Sequence, residues 1–403
     1  MRFAISPLLA GVLTFCIGQC DALAKQNSCS DPIVIGTTIS QTGPLASLTT
    51  NWDKMTEAFV DEINKDGGIM LSSCGKKLPI KFITYDDQGN PALATSLHEK
   101  MATVDGVDVF AGVDWTFVAV PVTTVAEKHK IPIVAANVAT PSAFQRGLKY
   151  MWATPYPVTT RWAERYFEML KTVEPKPKSI FFVVQDNPVF KSIHEIWGAK
   201  SEQQGIKILG QEMFPNDLKD FSSIVLKLRA ARPDIIFISA FDNVTVPLVQ
   251  QLRQQKIKAM DVHHTILSTA LARQTKGYGG VEGMTGEIPW ARTAGGDYSD
   301  LTLRVLDRAG LDVFENPATV TRFVSYLVIV QANEKAGAVD REKIRAALYK
   351  GTFKAPSGDI QFDETGLPNT AVFTMQIQNG QPQVVWPPDR ATAKVMWPSP
   401  SWR

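Results

Sequence analysis

The sequence predicts an α/β protein whose parallel β-sheets are divided between two lobes. Short apolar runs alternate with segments of helical periodicity from residue 33 onwards, and this alternation is typical of βαβ units around parallel sheets. The same alternation restarts after Tyr156 and Pro157. A chain of 403 residues is also too long for one ordinary hydrophobic core. Together these observations favour two similar lobes over one large domain.

The first lobe opens on a buried strand, Ile33-Val34-Ile35-Gly36, which a helix follows. Thr50 and Asp53 have the spacing of a capping box at the start of this helix, and Gly67-Gly68 tolerates the left-handed geometry that ends it. Further periodicity predicts strands at 80–85, 107–111 and 131–135, a helix that begins at Pro91, and a helix over 116–128.

The second half of the chain repeats this pattern. It predicts strands at 179–184 and 234–239 and helices at 189–204, 221–230, 244–254, 298–309, 319–337 and 341–350. A hairpin of strands 359–362 and 371–378, around Glu364-Thr365-Gly366, is expected to close the chain. Two such lobes leave a cleft at their junction, and ligands of open α/β sheets bind beyond the carboxyl ends of the strands.

Residues 1–24 have the features of an export signal. Arg2 precedes an apolar run at 7–17, and Ala22-Leu23-Ala24 suits a signal peptidase. The apolar run is too short to cross a bilayer, so the mature chain is expected to begin near Lys25 and to be periplasmic. A lipoprotein processed at Cys20 is the alternative, although its preceding residue is larger than lipidation sites accept.

Two of the four cysteines leave with the predicted signal peptide. Cys29 and Cys74 remain in an oxidising compartment, and we predict that they form a disulfide. In the chain-entropy description, closing a loop of this length contributes about 4 kcal/mol to the free energy of unfolding. Two free buried thiols are the alternative. A zinc site is not expected, because no His or Cys lies nearby at ligand spacing.

Charge and motifs exclude several classes of function. The chain carries 42 Lys and Arg against 40 Asp and Glu, and this balance argues against nucleic acid as a partner. The mature chain has no Gly-x-Ser-x-Gly elbow, Walker sequence or zinc-protease helix motif. His263 and His264 are neighbours on a strand and point to opposite faces, as Asp86 and Asp87 do. No carboxylate partners for a metal ion are expected near the two histidines. We therefore predict no catalytic residue, no metal and no cofactor.

The stretch FAGVDWTFVAVP at 110–121 places Thr116 between a predicted strand end and an apolar helix. A threonine hydroxyl and the free backbone N–H groups of a helix start can together hold a carboxylate. Trp115 and Phe117 flank this position and can enclose an apolar part of the same ligand. Two other interpretations stay open. Thr116 can be an ordinary N-cap residue, and the two aromatic residues can pack between the lobes.

The order of motifs along the chain resembles a known family. The segments IVIGTTISQTGPLASLTTNWDKMTEAFVDEINKDGGI, ITYDDQGNPALATSLHEKM, GVDVFAGVDWTFVAVPV, KIPIVAANVATPSAF, DFSSIVLKLRAARPDIIFISA and APSGDIQFDETG are similar to those of periplasmic leucine/isoleucine/valine-binding proteins. These are type 1 solute-binding components of ABC importers. The resemblance covers essentially the whole mature chain.

The resemblance implies two Rossmann-like lobes of the type 1 periplasmic-binding-protein fold, hinged by three crossings. We expect an N-terminal lobe of 25–153 plus about 287–360, and a C-terminal lobe of 154–286 plus about 361–403. It also implies a small-molecule ligand clamped between the lobes, an ABC transporter membrane permease as partner, and no enzymatic activity. We expect a monomer.

The resemblance also implies a set of ligand-binding residues. The family binds the ligand carboxylate through hydroxyl residues that fall here on Thr116 and on Thr140 of Val138-Ala139-Thr140. Its other contacts fall near Leu48 in the first lobe and on Phe190 and Phe241 in the second. Trp115 completes the expected site.

One departure from the family pattern concerns the ligand's ammonium group. Amino-acid binders of this family place an acidic residue where this sequence has Leu267 or Ile266, and a buried ammonium without a partner costs several kcal/mol. Asp114 or Asp242 is a possible replacement for the missing charge. The sequence therefore favours an aromatic or other apolar monocarboxylate, with a branched-chain amino acid, an amide or urea as alternatives.

A receptor subunit that senses a ligand is a further alternative, because the same fold serves as a receptor ectodomain. The chain ends in a Pro/Trp-rich tail, 384–403, with no second signalling module. We expect this tail to be surface-packed coil, since prolines prevent regular strand pairing. Trp386, Trp397 and Trp402 are expected to hold it against one of the lobes.

Overall fold

The computed structural model describes residues 29–154, 160–275, 280–370 and 372–403. Within these ranges the chain forms two mainly parallel β-sheets with helices packed against them, one sheet in each lobe. This confirms the predicted α/β class and the two lobes. The predicted signal peptide and Cys20 lie outside the described residues. Where the structure describes the chain, every helix is too short or too polar to cross a membrane.

The first sheet is assembled from the N-terminal part of the chain. In chain order this part contains β1 (Ile33–Ile39), α1 (Trp52–Asn64), β2 (Ile69–Leu71), β3 (Lys76–Leu78), β4 (Ile80–Asp86), α2 (Pro91–Thr103), β5 (Val109–Ala111), α3 (Thr116–His129), β6 (Ile133–Ala135) and β7 (Met151–Ala153). The strands lie in the order β4-β1-β5-β6-β7 and all pair in parallel. After β1 the chain forms β4 on one side of it and then crosses to β5 on the other side. The switch point of the sheet therefore lies between β1 and β5, and a ligand crevice is expected there.

The second sheet contains seven strands. Its part of the chain comprises α4 (Thr160–Leu170), β8 (Ser179–Gln185), α5 (Pro188–Gln203), β9 (Lys207–Phe214), α6 (Ser222–Ala231), β10 (Ile235–Ser239), α7 (Asp242–Gln254), β11 (Asp261–Ile266), α8 (Thr269–Thr275) and β12 (Thr285–Ile288). Further along follow α9 (Ser299–Ala309), α10 (Ala318–Ala336), α11 (Arg341–Lys350), β13 (Phe373–Gln378) and β14 (Gln381–Trp386). The order is β14-β13-β12-β11-β10-β8-β9, and only the pairs that involve β13 are antiparallel.

The late helices return to the first lobe. Helix α9 packs on α1, and α10 packs on β2, β5 and β6. Strands β12, β13 and β14 belong to the second sheet, so the chain passes between the lobes repeatedly. The lobe boundaries given above, 25–153 plus 287–360 and 154–286 plus 361–403, stay a prediction.

Two local predictions were wrong. The closing hairpin pairs β13 with β14, whereas Ile360 bridges to Phe353 and Phe362 bridges to Pro368. Residues around Gly366 therefore form a turn of their own. The capping box at α1 is also absent from the structure: Asn51, in the left-handed region at φ 61°, precedes the helix without a side-chain cap. The Thr50 hydroxyl donates to the carbonyl of Ala46 instead.

The predicted disulfide is confirmed, because Cys29 and Cys74 are bonded across 45 residues of chain. Cys74 lies in the turn between β2 and β3. The neighbouring Ser73 N–H donates to the carbonyl of Gly337 at the end of α10. The disulfide thus ties the start of the described chain to the small hairpin that packs on the long helix.

The C-terminal tail packs on the second lobe. Trp402 is buried, and the Arg253 guanidinium of α7 lies 3.4 Å from the centre of its indole ring. The Trp402 carbonyl accepts a hydrogen bond from Ala259 N–H at 2.8 Å. The indole N–H groups of Trp386 and Trp397 donate to the Glu168 carboxylate and the Pro175 carbonyl. The expectation that these tryptophans hold the tail is confirmed, although β14 extends regular pairing as far as Trp386.

A cluster of ionisable side chains lies in the core of the second lobe. His263 and His264 point to opposite faces, as predicted: His263 Nε2 lies 2.6 Å from Glu287 Oε2, whereas His264 contacts Thr245 of α7. Asp261 accepts hydrogen bonds from Thr285 and Tyr166. The sequence interpretation that carboxylates are absent near these histidines was wrong. It failed because Glu287 arrives from the adjacent strand β12.

Burial disfavours the charged forms of the central pair of this cluster, Glu287 and His263. It raises the pKa of the Glu287 carboxyl well above its usual range and lowers the pKa of His263 well below its usual range. Burial also raises the pKa of Asp261 to about 6. A neutral Glu287 beside a neutral His263 avoids placing two desolvated charges in the core.

Replacing Glu287 by glutamine is expected to flatten the decline of stability that accompanies a rise of pH above the ordinary glutamate pKa. A group whose pKa is higher in the folded than in the unfolded state stabilises the fold at low pH, and that contribution is lost as the pH rises through the folded pKa. Glutamine has nearly the same shape as glutamate and carries no ionisable group. The melting temperature of Glu287→Gln should fall less, or rise more, between pH 5 and 9 than that of the wild type. Glu195→Gln, on the exposed face of α5, is the control, and parallel curves for Glu287→Gln and wild type would contradict the prediction.

Candidate functional site

The candidate site begins where β1 and β5 end, at the switch point of the first sheet. Gly112 follows β5 in the left-handed region at φ +65°. A Cβ atom there would lie 2.9 Å from Tyr326 Cε1 and 3.1 Å from Arg322 Cζ. Glycine is therefore needed both for the backbone conformation and for the space that these two side chains of α10 occupy.

Arg322 fills this space with a fully buried guanidinium. Its Nε donates to the Tyr326 hydroxyl at 2.7 Å, and Nη2 donates to Thr37 Oγ1 at 2.8 Å and the Thr38 carbonyl at 3.1 Å. Nη1 donates to the Gly112 carbonyl and to Asp114 Oδ2. Five hydrogen bonds match the five N–H groups of an arginine, so this buried cation has its donors satisfied.

Asp114 is the partner charge of Arg322. Its second oxygen, Oδ1, accepts a hydrogen bond from Asn137 Nδ2 at 2.5 Å. Burial raises the pKa of Asp114 to about 6, and the positive charge of Arg322 opposes that rise. Both of its oxygens accept hydrogen bonds from protein donors, and a role for Asp114 as the partner of a ligand ammonium stays a prediction.

Trp115 links this buried pair to the helix start and has an unusual backbone. Its φ and ψ angles are 61° and 124°, a combination that non-glycine residues rarely adopt. Its carbonyl accepts the N–H groups of Val118 and Ala119, and these bonds begin α3. The indole stacks on Trp52, with ring centres 6.2 Å apart. Among the described residues its Nε1 has no hydrogen-bond partner. Backbone outliers of this kind cluster at functional sites.

The structure brings the two predicted hydroxyl residues together. Thr116 is the first residue of α3, and its Oγ1 accepts a hydrogen bond from Ala139 N–H at 3.1 Å. The Thr140 hydroxyl donates to the same oxygen at 3.4 Å. The interpretation of Thr116 as an ordinary N-cap was wrong, since Trp115 precedes the helix and Thr116 bonds to another loop. We call Thr116 with Val138, Ala139 and Thr140 the hydroxyl cradle.

The other first-lobe residues lie around this cradle in different settings. Val138 is fully buried, whereas Thr116 and Thr140 are half-buried and accessible to a ligand. Phe117 exposes 55% of its surface and Leu48 exposes 41%. The Leu48 carbonyl accepts a hydrogen bond from Asn316 Nδ2 at 2.6 Å, which ties the Leu48 loop to the start of α10. The Leu48 loop is thus held at the start of α10, whereas Phe117 lies in the first turn of α3.

In the second lobe the structure pairs Phe190 with Phe241. Their rings meet edge to face with centres 4.8 Å apart, Phe190 buried and Phe241 53% exposed. Phe241 N–H donates to Gln185 Oε1 at 2.9 Å, so the end of β8 is joined to the loop after β10. No hydrogen bond or ring contact of the described residues connects this pair to the hydroxyl cradle. Contact of either group with a ligand stays a prediction.

Where amino-acid binders of the family carry an acidic residue, this chain has a buried apolar side chain. Leu267 follows β11 and is fully buried in the core. The nearby Asp242 carboxylate accepts a hydrogen bond from Ser268 at 2.6 Å. Asp186, after β8, is in an ion pair with Lys191 at 2.5 Å. Across the part of the chain that the structure describes, His, Cys, Asp and Glu side chains do not gather in threes suited to hold a metal ion.

Sequence reasoning missed Arg322 and Asn137. Arg322 carries a signal that it overlooked: α10 is apolar or neutral over 318–333 except for this one charge. A lone arginine within such a helix is buried only when it is paired. Its partner was not predictable by spacing, because Asp114 lies 208 residues away in the sequence.

Comparison with known proteins gives consistent matches along the chain. The family described as "Periplasmic binding protein" (Peripla_BP_6) matches residues 32–382. A leucine-, isoleucine-, valine-, threonine- and alanine-binding protein of Pseudomonas aeruginosa is 24% identical over 361 residues, which cover 85% of this chain and 89% of that protein.

Solved structures share the fold at low sequence identity. A putative branched-chain amino acid ABC transporter protein from Silicibacter pomeroyi superposes with a TM-score of 0.80 at 16% identity, covering 92% of this chain and 100% of that one. A solute-binding protein of an ABC transporter from Rhodopseudomonas palustris, solved in complex with p-hydroxybenzoic acid, gives a TM-score of 0.71 at 19% identity. It covers 92% of this chain and 99% of its own.

Proposed function

Because the chain belongs to the periplasmic binding protein family, whose members are solute-binding proteins of ABC transporters and not enzymes, we propose that it captures an aromatic or other apolar monocarboxylate. The ligand is held between the two lobes and delivered to a membrane permease. The hydroxyl cradle receives the carboxylate through the hydroxyls of Thr116 and Thr140 and the N–H groups at the start of α3.

The proposal rests chiefly on the absence of a free acid for a ligand ammonium among the described residues of the site. Both oxygens of Asp114 accept hydrogen bonds from Arg322 and Asn137. The family resemblance implies that Leu267 or Ile266 stands where amino-acid binders carry an acid. An ammonium buried without a negative partner is costly, whereas a carboxylate finds hydroxyl and amide donors here. A ligand with one negative charge and no positive charge fits this chemistry best.

Aromatic side chains support an aromatic or apolar body for the ligand. Trp115 and Phe117 flank the cradle, and Phe241 offers an exposed ring on the second lobe, braced by Phe190. Aromatic rings pack favourably edge to face or in offset stacks. The Rhodopseudomonas palustris protein, which has the same fold, was solved with p-hydroxybenzoic acid, and that compound is an aromatic monocarboxylate.

A branched-chain amino acid is the second candidate. It is favoured by the name of the Pseudomonas aeruginosa relative, which shares 24% identity with most of the chain. It requires a carboxylate for the ammonium, and Asp242, half-buried beside Ser268, is the side chain that would have to supply it. Amide and urea ligands of the wider family require neither charge. A receptor subunit would use the same cleft to sense its ligand.

Transport follows from closure of the lobes around the ligand. The ligand shifts the population toward the closed arrangement only by as much as its affinity for that arrangement exceeds its affinity for the open one. We infer that the chain acts as a periplasmic monomer, exported through residues 1–24, which presents the closed form to the permease. Reopening there releases the ligand.

Isothermal titration calorimetry on protein that has been unfolded, dialysed and refolded to remove any copurified ligand tests the proposal. We expect 4-hydroxybenzoate or benzoate to bind with micromolar or tighter affinity and leucine to give no heat of binding. Leucine binding at micromolar affinity, with no response to either aromatic acid, would replace this proposal by the second candidate. Mass spectrometry of the ligand released on unfolding identifies the natural compound independently.

A further inference from the structure

We propose that the Asp114–Arg322 pair is the positioning element of the hydroxyl cradle, fixing where the cradle presents its donors to the ligand. This inference rests on the proposed function, since it concerns the site that binds the carboxylate. Neither side chain reaches the ligand. Asp114 and Arg322 are both buried, and all five guanidinium N–H groups already donate to protein acceptors.

One carboxylate orients both halves of the cradle. Asp114 stands two residues before Thr116, and its Oδ1 holds Asn137, which stands one residue before Val138. Asn137 is held in turn by α10, because its Nδ2 donates to the Ala318 carbonyl at 3.1 Å and its Oδ1 accepts from Thr321. The Asp114 carboxyl group thus joins the two loops of the cradle, and α10 holds one loop through Arg322 and the other through Asn137.

Arg322 attaches Asp114 to the strands of the first sheet. It connects Asp114 to the end of β1 through Thr37 and Thr38, and to the end of β5 through Gly112. These strand ends border the switch point of the sheet. A lysine has one ammonium and lacks the planar fork, so it cannot reach this set of acceptors together.

The strained backbone of Trp115 explains why such fixing is needed. A residue at φ 61° and ψ 124° relaxes to a common conformation unless its neighbours determine its position. The hydrogen bonds of Asp114, before Trp115, and the first turn of α3, after it, hold Trp115 in this conformation. If Trp115 relaxes, Thr116 turns away from Ala139 and Thr140, and the cradle loses its shared hydrogen bonds.

Replacing both charged side chains at once distinguishes an effect on the position of the hydroxyl cradle from an effect on the stability of the fold. Exchanging a buried ion pair for apolar side chains of similar volume is often neutral or stabilising. We therefore choose the double variant Asp114→Leu/Arg322→Met, which removes the link to Asn137 without leaving an unpaired charge. The matched control is Glu62→Leu/Arg304→Met, which removes a first-lobe ion pair of 2.9 Å between α1 and α9.

Hydrogen–deuterium exchange on the ligand-free full chain is the first measurement. Peptides covering 112–119 and 136–141 should exchange at least about tenfold faster in the double variant, because local opening costs less, while peptides of the second lobe stay unchanged. The second measurement is calorimetry with benzoate. Affinity should fall by about 10- to 100-fold, the equivalent of one misplaced charge-assisted hydrogen bond. The control variant should show the same exchange rates and the same benzoate affinity as the wild type.

The outcomes distinguish this inference from the proposed function. Wild-type exchange and wild-type benzoate affinity in the folded double variant would overturn the positioning role. Faster exchange of the two loops, in a protein whose wild type ignores benzoate, would support the positioning role and reject the proposed ligand class. If the double variant does not fold, Arg322→Lys takes its place: faster exchange of both loops is expected, and unchanged exchange overturns the inference.

Discussion

Replacing Thr116 and Thr140 together by alanine is expected to weaken binding of the carboxylate ligand by about 10²- to 10⁴-fold. Each hydroxyl hydrogen bond to a charged group is worth about 1.5–3 kcal/mol, and each 1.4 kcal/mol is tenfold in affinity. The two hydroxyls also bond to each other at 3.4 Å, so the single variants should not add to the double. Calorimetry with 4-hydroxybenzoate, or with the compound that copurifies, measures the loss.

The stability of this variant should change little, because both side chains are only half-buried. Thr103→Ala/Thr124→Ala is a matched control: both threonines are exposed on α2 and α3, and each donates only to a carbonyl of its own helix. The control should bind as the wild type does. An unchanged affinity in Thr116→Ala/Thr140→Ala would remove the hydroxyl cradle from the site and with it the basis of the proposed function.

Replacing Arg322 alone by methionine is expected to lower the free energy of unfolding by about 3–5 kcal/mol. The substitution leaves Asp114 buried without its partner charge, and breaking a buried ion pair on one side has this cost. Burial raises the pKa of Asp114 to about 6 even though the positive charge of Arg322 opposes this rise. The substitution removes that positive charge, so the pKa of Asp114 should rise further. Urea denaturation at several pH values measures both effects.

The pH dependence of this variant has a defined sign. Because the folded-state pKa of Asp114 lies above its unfolded-state value, the contribution of this group to stability is present at low pH and is lost as the pH rises through the folded pKa. The defect of Arg322→Met should therefore be smaller at pH 5 than at pH 8. Arg304→Met, whose side chain is half-exposed in its pair with Glu62, should cost less than about 1 kcal/mol. A similar small cost for Arg322→Met would show that Asp114 finds another partner.

Part of the candidate site follows from local sequence. Thr116 comes after a short strand and starts an apolar helix, and the resemblance to the binding-protein family placed Thr140 beside it. The structure has the two hydroxyls in contact. This succeeds because a loop at the carboxyl end of a parallel strand projects into the crevice whatever its detailed conformation.

The errors fall where tertiary contacts override a local pattern. The spacing of Thr50 and Asp53 is that of a capping box, yet Thr50 bonds back to Ala46 within a preceding turn. The strand at 371–378 was assigned to the hairpin preceding it, whereas β13 turns to β14 at Asn379 and Gly380, both with positive φ. In each case two partners were compatible with the sequence, and packing selected one.

The sequence by itself determined the parallel α/β class, the two lobes, the Cys29–Cys74 bond and the near-neutral charge balance, because these depend on periodicity, chain length and composition. Only the tertiary structure decided that Arg322 of α10 meets Asp114 below the hydroxyl cradle, across 208 residues. Periodicity reports which face of an element is buried. It carries no information on which distant side chain arrives at that face, since the return of the chain from the second lobe makes that choice.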